Sequence, residues 1–262
     1  MSSAPLFQPF PMLAGRRAQA WRHQPAFRRP RHFHEEPEIN LVTRGSCALG
    51  VGDRSLRLVA GQLVVFQPGQ DHELLEASPD LDLFVFALRP DLQARALRAR
   101  SLATADPAAL SDRELAIFET ELSAVGELRD AASVDARVAD LFARALEGAP
   151  KANATSRRVV ESLRAEQSLS EGALAARLRT TPSGISRHFR SALGVPLVEY
   201  RARLRLMRFI DLVDRGLPLT RAALEADFGS YAQCHRVFRR TLRCSPQRYF
   251  AGVRMQLDAE TA

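Results

Sequence analysis

The sequence predicts an α+β protein of two domains: an N-terminal β-barrel with trailing helices, followed by an all-α double helix-turn-helix. Three observations predict it. Residues 21–90 are short apolar or alternating runs separated by turn residues, the pattern of a barrel or sandwich. The period then lengthens to three- and four-residue steps, which is helical. Finally, Ile185, Arg187, Phe189, Arg190, Leu193 and Tyr200 recur at a constant offset as Cys234, Arg236, Phe238, Arg239, Leu242 and Tyr249. A period of about fifty residues marks a duplicated supersecondary unit.

Composition bounds the reading. The chain has 262 residues and is 46% hydrophobic, enough for a core in each of two domains. Its net charge of +7 is unevenly placed: residues 153–262 hold 19 Arg, no Lys and 10 Asp plus Glu, a net of +9, and the remainder is at −2. Positive charge confined to the C-terminal part predicts that this part meets a polyanion; a plain solvated basic face is the alternative. Cys47, Cys234 and Cys244 lack disulfide-framework or zinc spacing, so a reducing cytoplasm is expected. Met1–Pro11 does not read as a signal peptide. Apolar runs such as Leu63–Phe66 and Leu83–Leu88 are too short to span a bilayer, so no membrane partner is expected.

In chain order, residues 1–20 are Pro-rich and weakly patterned, a loose lead-in. Residues 21–90 form the barrel, with strands at Ile39–Thr43, Ala48–Val51, Ser55–Val59, Leu63–Phe66, Glu73–Glu76 and Leu81–Leu88. Gly45, Gly52-Asp53, Gly61, Pro68-Gly69 and Pro79-Asp80 mark the turns. Residues 91–148 are helical, with amphipathic helices at Ser111–Val125 and Ala132–Glu147. Their stripes either cover the barrel or pair two subunits into a homodimer. Residues 149–156 read as a linker and 157–255 as the double module.

Within the module, Thr155–Glu166 is a first helix. Ser170 caps the next, whose inward residues are Leu174, Ala175 and Leu178. Thr181 is a fit N-cap, and Pro182 takes the first helical position, where its missing N–H costs nothing. On that helix Ile185 and Phe189 face inward and Ser183, Ser186, Arg187 and Arg190 outward. Small polar residues and Arg suit a helix entering the major groove, because Arg donates two hydrogen bonds to guanine and Ser permits close approach. Gly194 stops the helix. Pro196 opens a long one to about Arg215, with Leu197, Tyr200, Leu204, Met207 and Ile210 buried. Arg201, Arg203, Arg205 and Arg208 face solvent, one or two of them reaching phosphate. The second unit begins at a Leu219-Thr220 cap, with Ala223, Leu224 and Phe228 internal. Ser230 caps its recognition helix. Cys234 and Phe238 point inward, Cys234 as a core residue rather than a reactive thiol. Tyr231, Ala232, His235, Arg236 and Arg239 point outward, His235 as a surface contact rather than a metal ligand.

Two helix-turn-helices in register, joined by one long helix, resemble the AraC/XylS family of transcription regulators over Leu169–Phe250. The resemblance is carried by Ser170-Glu171-Gly172-Ala173-Leu174-Ala175, Ile185-Ser186-Arg187-His188-Phe189-Arg190, Leu193-Gly194-Val195-Pro196, Phe228-Gly229-Ser230-Tyr231-Ala232-Gln233, His235-Arg236-Val237-Phe238-Arg239-Arg240 and Ser245-Pro246. It implies two recognition helices in successive major grooves on one side of double-stranded DNA. The base-edge positions are then Ser183, Ser186 and Arg187, followed by Tyr231, Ala232, His235 and Arg236. It also implies contact with RNA polymerase. Three residues depart from the family pattern: Asp227 and Arg243 stand where glycine is usual, and Cys234 where a large apolar residue is usual. These bear on the stability or angle of the second unit.

Upstream, His32, His34 and Glu38 precede Gly45, and His72 follows Pro68-Gly69. This order is similar to the two cupin motifs, although Gln67 displaces the proline by one residue and no Asn follows His72 at the usual interval. His32 and His34 share a strand face by alternation, and with Glu38 and His72 they make a three-His, one-carboxylate set for a divalent transition metal. The alternative is a metal-free barrel in which these histidines serve an organic effector or packing. Arg28, Arg29 and Arg31 either attract an anion or are solvated loop charges. The expected function is therefore a sequence-specific, non-enzymatic regulator whose barrel binds a small-molecule effector. The alternatives are a metal-dependent cupin enzyme fused to a DNA-binding domain and a binding-only nucleoid protein.

Overall fold

Strict alternation along two central strands organises the N-terminal domain of the computed structural model, which describes residues 6–23, 30–92, 106–165 and 169–252. The strands are β1 (Ala18–Arg22), β2 (Glu38–Arg44), β3 (Ser46–Val51), β4 (Arg54–Val59), β5 (Gln62–Phe66), β6 (His72–Ala77), β7 (Asp82–Leu88) and β8 (Ala108–Ala109). They form two antiparallel sheets, ordered β1-β7-β2-β5-β8 and β4-β3-β6. In β5 and β7, Val64, Phe66, Leu83, Val85 and Ala87 point between the sheets. Their neighbours Leu63, Val65, Phe84, Phe86 and Leu88 point to the opposite face. A sheet buried on both faces needs continuous apolar strands, which is why these two carry little polar punctuation.

The outer face is covered by helices α1 (Asp112–Val125) and α2 (Ala131–Gly148), through Phe118, Leu122, Val134, Val138, Leu141 and Phe142. Ser111 and Glu114 close a capping box on α1, and Asp130 caps α2. Of the two uses expected for these stripes, the structure realises covering the barrel.

The module comprises α3 (Ala154–Ala165), α4 (Glu171–Leu178), α5 (Pro182–Leu193), α6 (Leu197–Asp214), α7 (Leu219–Glu225) and α8 (Tyr231–Leu242). Ser170, Thr181 and Ser230 each accept a backbone N–H as N-caps. Ile185, Phe189, Tyr200, Phe209, Cys234 and Phe238 are fully buried in one core. Burial pushes the Cys234 thiol up to about 12, in keeping with an inert core residue. Among the described residues no helix is long and apolar enough to cross a membrane.

Several expectations are corrected. Residues 1–20 are not simply a loose lead-in: Phe7 and Phe10 are buried and β1 pairs with β7. The Asp135 carboxylate accepts the Arg17 and Ala18 amides at 2.9 and 2.8 Å, so α2 holds that strand. The linker shortens to residues 149–153, with Ala149 and Ala152 buried. Thr220 is not a cap: α7 starts at Leu219, behind an extended Pro218 that offers no side-chain cap. Leu224 is 55% exposed because Ala222, Ala223 and Ala226 take the packed face. Arg203 is the largest correction, being buried rather than solvated. Arg28, Arg29 and Glu166, with parts of the 91–148 and 157–255 segments, lie outside the described residues.

The duplication also locates strain. Gly194 ends α5 at φ 71°, and the residue that occupies its place in the second unit, Arg243, ends α8 at φ 60°. A left-handed conformation costs a side-chain-bearing residue about 1–2 kcal/mol relative to glycine. Arg243→Gly is therefore expected to stabilise the chain by about 1 kcal/mol, with part of the gain offset by unfolded-state entropy. A urea titration showing an unchanged or lower midpoint would contradict this.

Candidate nucleic-acid interface and sensor site

Both recognition helices present the face that the duplication predicts. On α5, Ser183, Arg187 and Arg190 are exposed, and Ser186 is half-buried. On α8, Ala232, Arg236 and Arg239 are exposed, and Tyr231 and His235 are half-buried with their rings edge-to-face at 6.0 Å. The two equivalent arginines, Arg187 and Arg236, thus both point outward. Two of the predicted residues are already engaged within the chain. The Ser186 hydroxyl donates to Glu171 Oε1 at 2.9 Å, and Arg190 pairs with Asp53 on the β3–β4 turn. Asp227, also left-handed at φ 61°, pairs with Arg208 at 3.1 Å, which ties the second unit to the connecting helix.

In the barrel, the structure brings together all four predicted metal-site residues. His32 and His72 form a reciprocal antiparallel bridge, with backbone bonds of 3.1 and 2.8 Å. Ligand atoms of His32, His34 and His72 lie within 4.8 Å of one another, and all three side chains are buried. Each Nδ1 sits against a backbone carbonyl: His32 on Pro30 at 2.9 Å, His34 on Glu36 at 2.8 Å and His72 on Gln70 at 3.1 Å. A carbonyl only accepts, so each Nδ1 carries a hydrogen and a neutral ring keeps its lone pair on Nε2.

Glu38 completes the cluster, its two oxygens lying 3.2 Å from His34 Nε2 and 3.4 Å from His72 Nε2. Burial raises its carboxyl, but His72 and His34 outweigh that and hold it well below the usual range. Asn40, which the motif reading did not include, donates to Glu38 Oε1 at 2.5 Å. Its place two residues along the same strand face was the available signal. The donor set fits a transition metal: three imidazoles, one carboxylate and an outer hydrogen bond on every histidine. His72 Nε2 is buried and its 3.4 Å approach to Glu38 Oε1 is not a well-aligned hydrogen bond, which leaves it available to an ion. His32, Glu38, Asn40 and His72 also line a small open pocket of about 70 Å³, shared with Trp21, Leu49, Leu74, Leu83 and Val85. Its few polar groups among apolar walls are the kind of lining that takes part of a small organic ligand.

Sequence comparison identifies this architecture. The family profile described as an AraC-like ligand binding domain matches residues 13–173, and a helix-turn-helix domain profile matches residues 174–252. The chain belongs to the AraC family. It is an AraC-type DNA-binding transcription regulator with an effector-binding, cupin-like N-terminal domain. No protein with a curated description matches its sequence. Similar solved structures include unsaturated fatty acid-bound ToxT from Vibrio cholerae, with 13% identity, 88% of this chain and 93% of that chain covered, and a TM-score of 0.49. Another is the AraC-like transcriptional activator CuxR, with 11% identity, coverages of 80% and 78%, and a TM-score of 0.34.

In this AraC-family chain the two domains meet through polar and close-packed contacts. Arg203 on α6 donates to Asp71 Oδ1 at 2.5 Å and to the Gly69 carbonyl at 2.9 Å, and its guanidinium lies 5.0 Å from the centre of the Phe33 ring. Arg31 donates to the other Asp71 oxygen at 2.8 Å. Burial raises the Asp71 carboxyl, but Arg203 and Arg31 outweigh it and hold it low. Gln70 Nε2 donates to the Leu193 carbonyl at 2.6 Å, at the end of the first recognition helix. Beside it, a Cβ on Gly52 would lie 2.0 Å from the Gly194 carbonyl oxygen, so only glycine permits this approach.

Proposed function

We propose that the exposed faces of α5 and α8 read double-stranded DNA in successive major grooves. Ser183, Ser186 and Arg187 act in the first, and Tyr231, Ala232, His235 and Arg236 in the second, while Arg190 and Arg239 contact the backbone. The observation that carries this reading is the matched exposure of Arg187 and Arg236 above matched buried pairs, Ile185 with Phe189 and Cys234 with Phe238. Arg187→Ala is expected to weaken specific binding by about 1–3 kcal/mol and to relax the preference at one base pair. The measurement is a mobility shift on duplexes recovered by genome-wide mapping of bound DNA in cells. Unchanged affinity and unchanged preference would remove Arg187 from the interface.

We read the protein as a cytoplasmic regulator without turnover of its own, with RNA polymerase as a partner by family implication. Self-association through α1 and α2 requires their outward faces, because Phe118, Leu122, Val138 and Phe142 are taken by the sheet. Sedimentation of the purified chain tests it.

We further read His32, His34, Glu38 and His72 as the ligands of one divalent transition-metal ion, with Asn40 orienting Glu38. Support comes from the three Nδ1–carbonyl bonds, which aim lone pairs and a carboxylate at one another. When bound, the ion supplies the positive charge these acceptors lack and an anchor for a donor atom of the effector. The purified protein is expected to hold close to one equivalent of metal by elemental analysis, and His34→Ala to hold none. Protein that is metal-free as isolated, takes up no added metal and keeps its melting temperature under chelation would refute this. The same cluster in a pocket is what a fused cupin enzyme needs. The sensor reading is preferred because three of the ligands, His32, His34 and His72, lie next in sequence to Phe33 or Asp71, which hold the DNA-binding domain.

A further inference from the structure

Two short segments of the barrel face both ways. In residues 32–34, His32 and His34 turn to the metal-site cluster. Phe33, between them, is 0% exposed and packs into the core of the DNA-binding domain under the Arg203 guanidinium. In residues 69–72, His72 joins the cluster. Its neighbours point the other way: the Gly69 carbonyl and the Asp71 carboxylate accept from Arg203, and the Gln70 amide donates to Leu193. The segments are cross-linked by the paired His32 and His72 amides and by the Gly69 amide, which donates to the His34 carbonyl at 2.9 Å. Each of these gripping residues is thus one to three residues from a cluster histidine, on backbone that cannot shift independently of it.

We propose that a divalent transition-metal ion is an effector of this protein, and that its binding to His32, His34, Glu38 and His72 locks the DNA-binding domain onto the barrel through Phe33, Gln70 and Asp71. This rests on the metal-site reading above. The direction follows from charge. Without an ion, the side chains of the cluster are joined only through Glu38, which approaches His34 of one segment and His72 of the other. A cation pulls them together into the arrangement that accommodates Arg203 and Leu193. Linkage then requires that an ion preferring the docked arrangement increase its population by the ratio of the ion's two affinities. Docking has a direct consequence for the first recognition helix. Asp53 takes Arg190, and Arg54 donates to the Ser191 carbonyl at 3.3 Å, so α5 is held by its C-terminal end while the ion is bound.

The test uses the full chain, stripped with a chelator and titrated with Co²⁺, whose visible absorption reports binding by histidine and carboxylate. Amide hydrogen exchange at residues 51–54 and 193–200 reports docking. In the wild type, Co²⁺ is expected to slow exchange in both segments at least tenfold. In Gln70→Ala and Arg203→Met the cobalt absorption is expected to persist while the slowing shrinks severalfold or disappears; circular dichroism establishes that each variant is folded. Should Arg203→Met not fold, the milder Gln70→Ala carries the comparison. Cobalt absorption without slower exchange in the wild type overturns the coupling and leaves a structural metal centre. No cobalt absorption in the wild type overturns both the coupling and the metal-site reading. Equal slowing in the wild type and in the folded variants places the linkage elsewhere and overturns the route through Gln70 and Asp71.

Discussion

Arg203→Ala is expected to lower the stability of the folded chain by about 3 kcal/mol, the lower end of the range for breaking a buried ion pair. Arg203 and Asp71 have side chains only 7% and 6% exposed, so removing one leaves the other out of water with part of its charge unmatched. Arg31 stays on the second Asp71 oxygen, which keeps the loss from the top of the range. The Gly69 carbonyl also loses its donor. Acid is expected to have the same effect on the wild type. The Asp71 carboxyl is held below its unfolded value, so its contribution is complete above the ordinary aspartate range, about 3.9, and is lost as the pH falls through the folded value. The variant should therefore lose less stability than the wild type over that acid window. Urea titrations at several pH values read both effects; parallel curves would show that the pair does not act as described.

Phe33→Ala is expected to cost about 3–5 kcal/mol, the usual loss for emptying a fully buried aromatic site. The site is unusual because Phe33 belongs to the barrel chain yet packs into the core of the helical domain: with Phe7 of the N-terminal segment, whose ring lies 5.6 Å away, it joins a cluster that includes Tyr200 and Phe209. Phe33→Leu conserves most of the volume and should cost less than about 1.5 kcal/mol. If the alanine variant melts no earlier than the leucine variant, Phe33 does not sit in a packed core.

Much of the molecule was legible because local chemistry and global position agree. Thr181, Pro182 and Gly194 bracket α5 as helix-end chemistry requires, and Ser230 does the same at the start of α8. The strands of the barrel were legible because each is bounded by turn residues, and Gly45, Gly52, Gly61 and Gly69 all have positive φ. Strand β1 was not, since Ala18–Arg22 carries one large apolar residue and is held by β7 and by the Asp135 carboxylate, both distant in sequence. The four cluster residues were legible through the resemblance of their order to the two cupin motifs, and His32 and His34 also through strand alternation. Asp71 was not, because an aspartate beside a histidine after a Pro-Gly turn reads as a solvated turn residue.

From the sequence alone came the duplicated module, the outward placing of Arg187 and Arg236, and the candidate ligands of the barrel. Each of these depends on periodicity, capping or strand alternation, interactions that span a few residues. Only the tertiary structure decided that Arg203 is buried, that Phe33 belongs to the far domain and that Arg190 is held by Asp53. The reason is physical: an arginine on a helix face has the same local pattern whether that face meets water or a carboxylate 132 residues away, and only the packing of one domain against the other selects between them.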